Sequence, residues 1–164
     1  FFRSYGRATS LLVILIDGLK AAAACLIGGA LLGQYGLHTE GMLLGGLTVT
    51  LGHDFPALLG FHGGKGIVCG FAAALVTDWR IGLILLAIFA AAYFSTKYVS
   101  LASCLSALGF GVCFVLFYPG HPVVWVLAVV MAALALFLHR ENIDRLLHGK
   151  ERKTDFFKKE GNSK

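Results

Sequence analysis

Charged residues are scarce over most of this sequence. The chain has 164 residues, of which 57% are hydrophobic and only 14% are charged. Soluble globular domains carry about a quarter charged residues, so this balance excludes that class and indicates a membrane protein. Residues 18–138 hold seven charged side chains, whereas the segment from residue 139 onward is rich in both signs. The seven are Lys20, Glu40, Asp54, Lys65, Asp78, Arg80 and Lys97.

Paired cysteines are also absent. The four cysteines lie in or beside apolar runs, and none forms a CxxC pair. We therefore expect small core residues, with neither disulfides nor a metal site. The net charge of +5 does not indicate nucleic-acid binding, because most of the positive excess sits beside apolar runs. The cysteines are Cys25, Cys69, Cys104 and Cys113.

Six apolar runs predict an all-α fold, a polytopic bundle of transmembrane helices. A helix needs about 20 residues to cross the hydrocarbon, and several runs are shorter, so we expect about six spans, some of them short. Pro56 should break the end of the second run, and Asp17 and Lys20, three residues apart on the first run, should pair. The runs cover residues 10–37, 41–61, 63–76, 81–94, 103–118 and 122–138.

Positive charges predict the orientation of this bundle. With the N-terminus in the cytoplasm, six crossings place the segments around Lys65 and Lys97, and the tail, on the cytoplasmic side. Arg80 is then the one Lys or Arg outside. This orientation gathers the unusual polar segments on one membrane face, where any chemistry should take place.

Three glycines flank a lysine in the segment GHDFPALLGFHGGKG, residues 52–66. Gly63, Gly64 and Gly66 allow tight turns that expose N–H groups beside Lys65, and a helix starting just after would direct its positive end there. The P-loop spacing GxxxxGK[ST] is absent. The segment therefore predicts either an anion cradle or a glycine-rich turn with a snorkelling lysine.

Other polar side chains stand at the predicted membrane edges. His53 is either a functional group or one that satisfies the kink beside the proline. Ser100 and Ser103, in KYVSLAS, share one helical face, where they either line a site or bond their own helix backbone. Glu141 and Arg145, in HRENIDRLLHGKE, form an i,i+4 pair typical of a solvated amphipathic helix.

These three segments resemble the cytoplasmic motifs of the bacterial membrane glycerol-3-phosphate acyltransferase (PlsY) family, in the same order and on the same face. The resemblance extends to about residue 153. It implies acyl transfer from acyl phosphate to the 1-hydroxyl of glycerol 3-phosphate, giving lysophosphatidic acid and phosphate, without a cofactor. It also implies a multi-pass protein of the bacterial inner membrane with cytoplasmic loops, coupled to the enzyme that makes acyl phosphate. The alternative is a small anion or phosphate-ester transporter, which should carry polar residues along a path at mid-membrane.

The resemblance also assigns roles to residues. The glycines would hold the donor phosphate, and Arg3, Lys65 and Ser103 would hold glycerol 3-phosphate. His53 would act as a base or an orienting group, unless the donor phosphate itself takes the proton. The residues implied in catalysis are Lys65, His53, Ser103 and Asn142. The residues implied in substrate binding are Arg3, Gly63, Gly64, Gly66, Ser100, His139 and Arg140.

The sequence departs from the family pattern in two places. The family carries a basic residue where His62 stands, and its Ser-Gly-Asn loop and first helix should precede Phe1. Because the chain also lacks an initiator methionine, we expect an N-terminally incomplete transmembrane acyltransferase domain over residues 1–153. We expect residues 154–164 to form a charged, disordered cytoplasmic tail.

Overall fold

The computed structural model describes residues 2–154, with the side chains of residues 9–58 and 60–154. Within this part the chain is all-helical, which confirms the predicted fold class. Residues 155–164, assigned above to a disordered tail, lie outside the described residues. The α-helices are α1 (Phe2–Gly33), α2 (His38–Asp54), α3 (Ile67–Thr77), α4 (Trp79–Thr96), α5 (Val99–Phe117), α6 (Pro122–Leu138) and α7 (Arg140–Leu147), and a 3-10 helix covers Ala57–Leu59.

The helices end where the backbone cannot continue them. The α2 helix stops at Asp54, earlier than its apolar run, because Pro56 has no N–H group and restricts the residue before it. The predicted break at the proline is therefore confirmed. Gly36, with φ +76°, turns the chain between α1 and α2. The α5 helix starts at Val99, before the predicted start at residue 103, which places Ser100 in its first turn.

The lengths of the described helices separate clear spans from short ones. Three segments are long and apolar enough to cross a membrane: Thr9–Gly33, Trp79–Thr96 and Val99–Phe117. The α6 and α7 helices form a further candidate if they are one span bent by 58°. The α2 and α3 helices, with 17 and 11 residues, are shorter. Thus α1 to α6 match the six predicted runs, while the number that crosses the bilayer stays a prediction.

Small residues let α1 and α2 pack closely. A methyl group added to Gly28 would lie 2.1 Å from the Gly41 carbonyl oxygen. One added to Gly45 would lie 2.2 Å from the Ala24 carbonyl oxygen. Any side chain at these glycines would force the two backbones apart, so the α1–α2 pair depends on them.

Apolar side chains divide between a core and an outer surface. All four cysteines are buried and free, which confirms their predicted role in packing. Leucines on the outside of α1, such as Leu11, Leu15 and Leu19, are more than half exposed, as expected of a helix that faces lipid. The largest fully buried side chains are Phe114, Leu43, Ile81, Leu85, Val124, Cys25 and Cys69.

Polar residues at the α3–α4 end of the bundle are paired with one another. Asp78 caps α4 through the backbone N–H of Arg80 at 3.0 Å, and its carboxylate pairs with the Arg80 guanidinium at 2.7 Å. These contacts hold the pKa of Asp78 below its ordinary value. The Tyr118 hydroxyl donates to the same carboxylate at 3.3 Å, and His121 lies 3.4 Å from Glu40. These pairs account for the polar residues at this end as structural contacts.

Candidate functional site

The three polar segments predicted to share one face meet at the opposite end of the bundle. The Lys65 ammonium donates to the Asn142 side-chain oxygen. The Asn142 amide donates to Glu151 at 2.8 Å, and Arg145 donates to the other Glu151 oxygen at 2.8 Å. These contacts join the glycine loop, α7 and the segment after α7 into one polar junction, which we call the Lys65 junction. Its members are Lys65, Asn142, Arg145 and Glu151.

Ser100, in the first turn of α5, lies against this junction. Ser100 and Ser103 are both buried, in the first turns of α5. Among the described residues, the Ser100 hydroxyl has no partner with hydrogen-bond geometry, yet it lies close enough to Glu151 to help lower the pKa of that carboxyl. A buried hydroxyl without a full partner is available to a substrate oxygen.

His139 occupies the bend between α6 and α7 and is buried. Its Nδ1 lies 2.8 Å from the Ala135 carbonyl oxygen, which can only accept, so Nδ1 carries the proton. The other ring nitrogen is then an acceptor in the neutral ring. The charges of Lys65 and Glu151 both act on this ring, which places His139 beside the Lys65 junction.

The environment shifts the pKa values of two charged residues of the junction, Lys65 and Glu151. Partial burial and the nearby Arg145 guanidinium lower the pKa of Lys65 below its ordinary value. Burial opposes ionisation of Glu151, but hydrogen bonds from Asn142 and Arg145 prevail and lower its pKa. Asn142 thus lies between Lys65 and Glu151, and Arg145 pairs with the other Glu151 oxygen.

The glycine loop differs from the predicted anion cradle in one respect. The Gly63 N–H donates to the Asp54 carbonyl at 3.1 Å, and the Gly64 N–H donates to the His53 carbonyl at 3.1 Å. The expectation that these two glycines expose their amides is therefore wrong, because the end of α2 uses both. Instead, Gly63 and Gly64 allow the loop to lie close against the end of α2. A methyl group on Gly63 would lie 2.1 Å from the His53 carbonyl oxygen, and one on Gly64 would lie 1.9 Å from His53 Nε2.

The start of α3 supplies the free positive end instead. Gly66 precedes the helix with φ +65°, and none of the described side chains caps it. The first amides of a helix have no partner within it, so the N–H groups at the start of α3 point into the loop beside Lys65. A helix beginning just after the glycines was predicted, and this is confirmed. Beneath it lies Asp54, buried, with neither carboxylate oxygen bonded to a described residue.

His53 is held by the pair predicted on the first helix. The Lys20 ammonium lies 2.6 Å from Asp17, which confirms that pair, and 2.9 Å from His53 Nδ1. Asp17 itself lies 3.4 Å from His53 Nδ1. Candidate metal ligands on Asp17, His53 and Cys69 lie within 4.8 Å of one another, but the Lys20 ammonium already bonds two of these residues. The set is therefore better described as an ion pair with a histidine.

The two arginines predicted for the site differ in what the structure describes of them. Arg140 is exposed, donates to the Phe137 carbonyl at 3.1 Å and stacks 4.5 Å above the Phe137 ring. The Arg3 side chain lies outside the described side chains. Sequence reasoning missed Glu151 and the contact between Lys20 and His53. In the sequence, Glu151 looks like one more charge of a solvated segment. Lys20 and His53 are 33 positions apart, so no local pattern predicts their contact.

An apolar cavity of about 250 Å³ begins next to the glycine loop. Thr50 and Gly66 line its end at the loop, and it continues between α3, α4, α5 and α6 past Phe89, Ala107 and Ala135. Its walls are almost entirely hydrocarbon, so it suits an alkyl chain rather than a polar ligand.

Comparisons with known proteins agree on one family. The sequence model of the family described as Glycerol-3-phosphate acyltransferase matches residues 1–149. Glycerol-3-phosphate acyltransferase of Thermoanaerobacter sp. (strain X514) is 37% identical over 141 residues, which cover 86% of this chain and 68% of the relative. The enzyme of Finegoldia magna is 37% identical over 156 residues, covering 92% of this chain and 74% of the relative.

Two solved structures have a similar fold. Both are crystal structures of PlsY (YgiH), an integral membrane glycerol 3-phosphate acyltransferase. The lysophosphatidic acid form has a TM-score of 0.81 and 31% identity, and covers 94% of this chain and 76% of that chain. The glycerol 3-phosphate form has a TM-score of 0.81 and 30% identity, and covers 94% of this chain and 75% of that chain.

Proposed function

Because the chain belongs to the glycerol-3-phosphate acyltransferase family, we propose that it transfers a fatty acyl group from acyl phosphate to the 1-hydroxyl of glycerol 3-phosphate. The chain is an acyltransferase of phospholipid synthesis and an integral membrane protein. The Lys65 junction beside the uncapped start of α3 carries the proposal, since it offers cationic and amide donors to two phosphate-bearing substrates. The transporter alternative is not favoured, because the chain belongs to an acyltransferase family.

The reaction needs no covalent enzyme intermediate. The 1-hydroxyl oxygen of glycerol 3-phosphate attacks the acyl carbonyl carbon of the mixed anhydride. The bond between that carbon and the phosphate oxygen breaks, and phosphate leaves with the proton that the hydroxyl loses. Lysophosphatidic acid and inorganic phosphate are the products. The protein contributes position and charge stabilisation, which alone can supply a large part of the rate.

We assign the phosphate contacts to the groups that remain free. The donor phosphate lies at the start of α3, where the first helical amides have no partner within the helix and no described side chain caps them. Gly63 and Gly64 support this site by shaping the loop, since their own amides are occupied. Lys65 and the Ser100 hydroxyl bind phosphate oxygens. Ser103, His139 and Asn142 line the position of glycerol 3-phosphate, where Arg3 and Arg140 are further candidates.

The acyl chain lies in the apolar cavity. The cavity begins at Gly66, so a donor phosphate at the start of α3 places its carbonyl at the cavity entrance. Each methylene that leaves water contributes about 0.8 kcal/mol, which gives long chains a large binding advantage. The enzyme therefore takes one substrate from the lipid phase and one from the aqueous side.

We place the Lys65 junction on the cytoplasmic side of a bacterial inner membrane. Lys65, Lys97 and the basic residues from Arg140 to Lys153 lie at the junction end, whereas Arg80 lies at the other. This is the distribution that the positive-inside rule requires. An enzyme that makes acyl phosphate on that side would supply the donor directly.

The test is donor choice by the purified chain in detergent, followed with labelled glycerol 3-phosphate. We expect lysophosphatidic acid from acyl phosphate and none from acyl-CoA, since nothing in the small polar site fits adenine or pantetheine. Lys65→Met should lower kcat/KM about ten- to hundredfold by removing a charge-assisted contact. Lys150→Met, which removes an exposed lysine near α7, is the matched control and should act as wild type. Comparable rates with acyl-CoA would overturn the donor assignment.

A further inference from the structure

The His53 ring is held between two elements. On one side its Nδ1 meets the Lys20 ammonium at 2.9 Å and the Asp17 carboxylate at 3.4 Å. On the other side its Nε2 faces Gly64 so closely that a methyl group there would lie 1.9 Å away. The backbone carbonyl of His53 also accepts the Gly64 N–H at 3.1 Å. The ring and the backbone of His53 therefore both contact Gly64, the residue next to Lys65.

The contact with Lys20 decides which ring nitrogen carries the proton. An ammonium group can only donate, so His53 Nδ1 must accept. The same ammonium group donates to the Asp17 carboxylate at 2.6 Å. The longer distance from Asp17 to Nδ1, 3.4 Å, makes Asp17 the weaker candidate for a direct bond to the ring. In a neutral ring the proton is then on Nε2, on the side of the glycine loop.

We propose that Lys20 and Asp17 fix His53 as the neutral Nε2–H tautomer, so that His53 positions residues 63–66 and is not the base of the acyl transfer. This inference rests on the proposed function for the role of the loop. A base must hold a free lone pair, and in this tautomer the one lone pair of the ring is bonded to Lys20. His53 is therefore a positioning residue.

The surroundings oppose protonation of the ring. Lys20 and Asp17 face it from α1, Asp54 lies beside it on α2, and Cys69 faces the cluster from α3. A second proton on His53 would place a cation against the Lys20 ammonium and break their contact. Burial of the ring disfavours its charged form, and this outweighs the nearby Asp17 carboxylate, which already pairs with Lys20.

The direct test is the nitrogen spectrum of the full chain labelled with ¹⁵N-histidine, in nanodiscs, with His53→Gln used to assign the signals. We expect a pyridine-type Nδ1 and a pyrrole-type Nε2 from about pH 6 to about pH 8. Lys20→Met should remove this pattern and give a mixed or titrating ring, while Lys150→Met should keep it. A protonated Nδ1 in the wild type, or an unchanged pattern in Lys20→Met, would overturn the tautomer assignment.

Activity separates positioning from base catalysis. Glutamine carries an amide donor near the place of Nε2–H, so His53→Gln should keep kcat within a few-fold of wild type, whereas His53→Ala should lose much more. Loss of a general base lowers the reaction rate about 10²–10⁴-fold, and it would lower the rate of both variants equally. Equal loss in both variants would refute the positioning role. If the tautomer pattern holds but the wild type acylates no glycerol 3-phosphate, the proposed function fails and the tautomer assignment stands.

Discussion

Lys65 combines two conditions that usually exclude each other. Its side chain reaches the surface, yet its ammonium is partly desolvated and lies near another cation, Arg145. The Asn142 side-chain oxygen accepts a hydrogen bond from the ammonium, and the Glu151 carboxylate attracts its charge. Both interactions offset the desolvation and the repulsion from Arg145. A phosphate that enters the site would complete the neutralisation. The residue is thus arranged to bind an anion rather than to form a finished ion pair.

The pH dependence of the reaction should report this environment. The pKa of Lys65 lies below the ordinary 10.5, so the ammonium loses its proton as pH rises through that lowered value. We expect the alkaline limb of kcat/KM to fall below pH 10.5, after correction for hydrolysis of acyl phosphate without enzyme. Lys65→Arg, which stays charged to above about pH 12, should move this limb upward. An identical limb in both proteins would assign it to another group.

The glycine loop and the helix after it work as one element. The end of α2 accepts the amides of Gly63 and Gly64, and Gly66 starts α3 with its positive end uncapped. The sequence correctly predicts the turn, the helix start and the break at Pro56, because each follows from local backbone restrictions. It does not predict which amides stay free, since that depends on how α2 and the loop meet.

Gly64→Ala tests the fit of this element. The added methyl group would lie 1.9 Å from His53 Nε2, so the loop must shift, and a displacement of about 1 Å can cost about a hundredfold in rate. Gly52→Ala is the matched control. It lies one residue before His53, and an added methyl group there meets no atom within 4 Å. We expect near wild-type kcat/KM for Gly52→Ala and a loss of about a hundredfold for Gly64→Ala. Similar kinetics in the two variants would contradict a rigid loop.

The whole molecule separates two polar ends by an apolar middle. At one end the polar side chains form two groups of contacts. Asp78 bonds Arg80 and Tyr118, and Glu40 lies close to His121. At the other end the Lys65 junction leaves groups that a substrate can use. The apolar cavity lies between these two ends, among helices α3 to α6, and it opens next to the Lys65 junction. The bundle thus places a polar site next to an apolar cavity that suits an alkyl chain.

Filling the cavity should change chain-length preference. Ala107, buried on α5, lines the cavity, and Ala107→Leu would occupy the space of several methylenes, each worth about 0.8 kcal/mol. We expect kcat/KM to fall about tenfold or more for long-chain acyl phosphates and much less for short-chain ones. Ala87→Leu, on the exposed face of α4, should leave the profile unchanged.

Thermal unfolding in detergent, measured alongside, separates this effect from overpacking. If Ala107→Leu unfolds early, Ala107→Val gives the smaller change. Equal losses for long and short chains would place the acyl group elsewhere.

The sequence by itself determines the class of molecule, the helices and the candidate residues. Apolar runs that hold few charges indicate a membrane bundle, because burying isolated charges in hydrocarbon is costly. Pro56 and the glycines set the breaks locally. The i,i+3 spacing of Asp17 and Lys20 suffices to predict their pair.

Tertiary structure alone decides the contacts between distant segments. Lys65 and Asn142 are separated by 77 residues, and Lys20 and His53 by 33, so no local pattern predicts either contact. Spacing along a chain fixes which side chains share a helix face, whereas packing between helices fixes which faces meet.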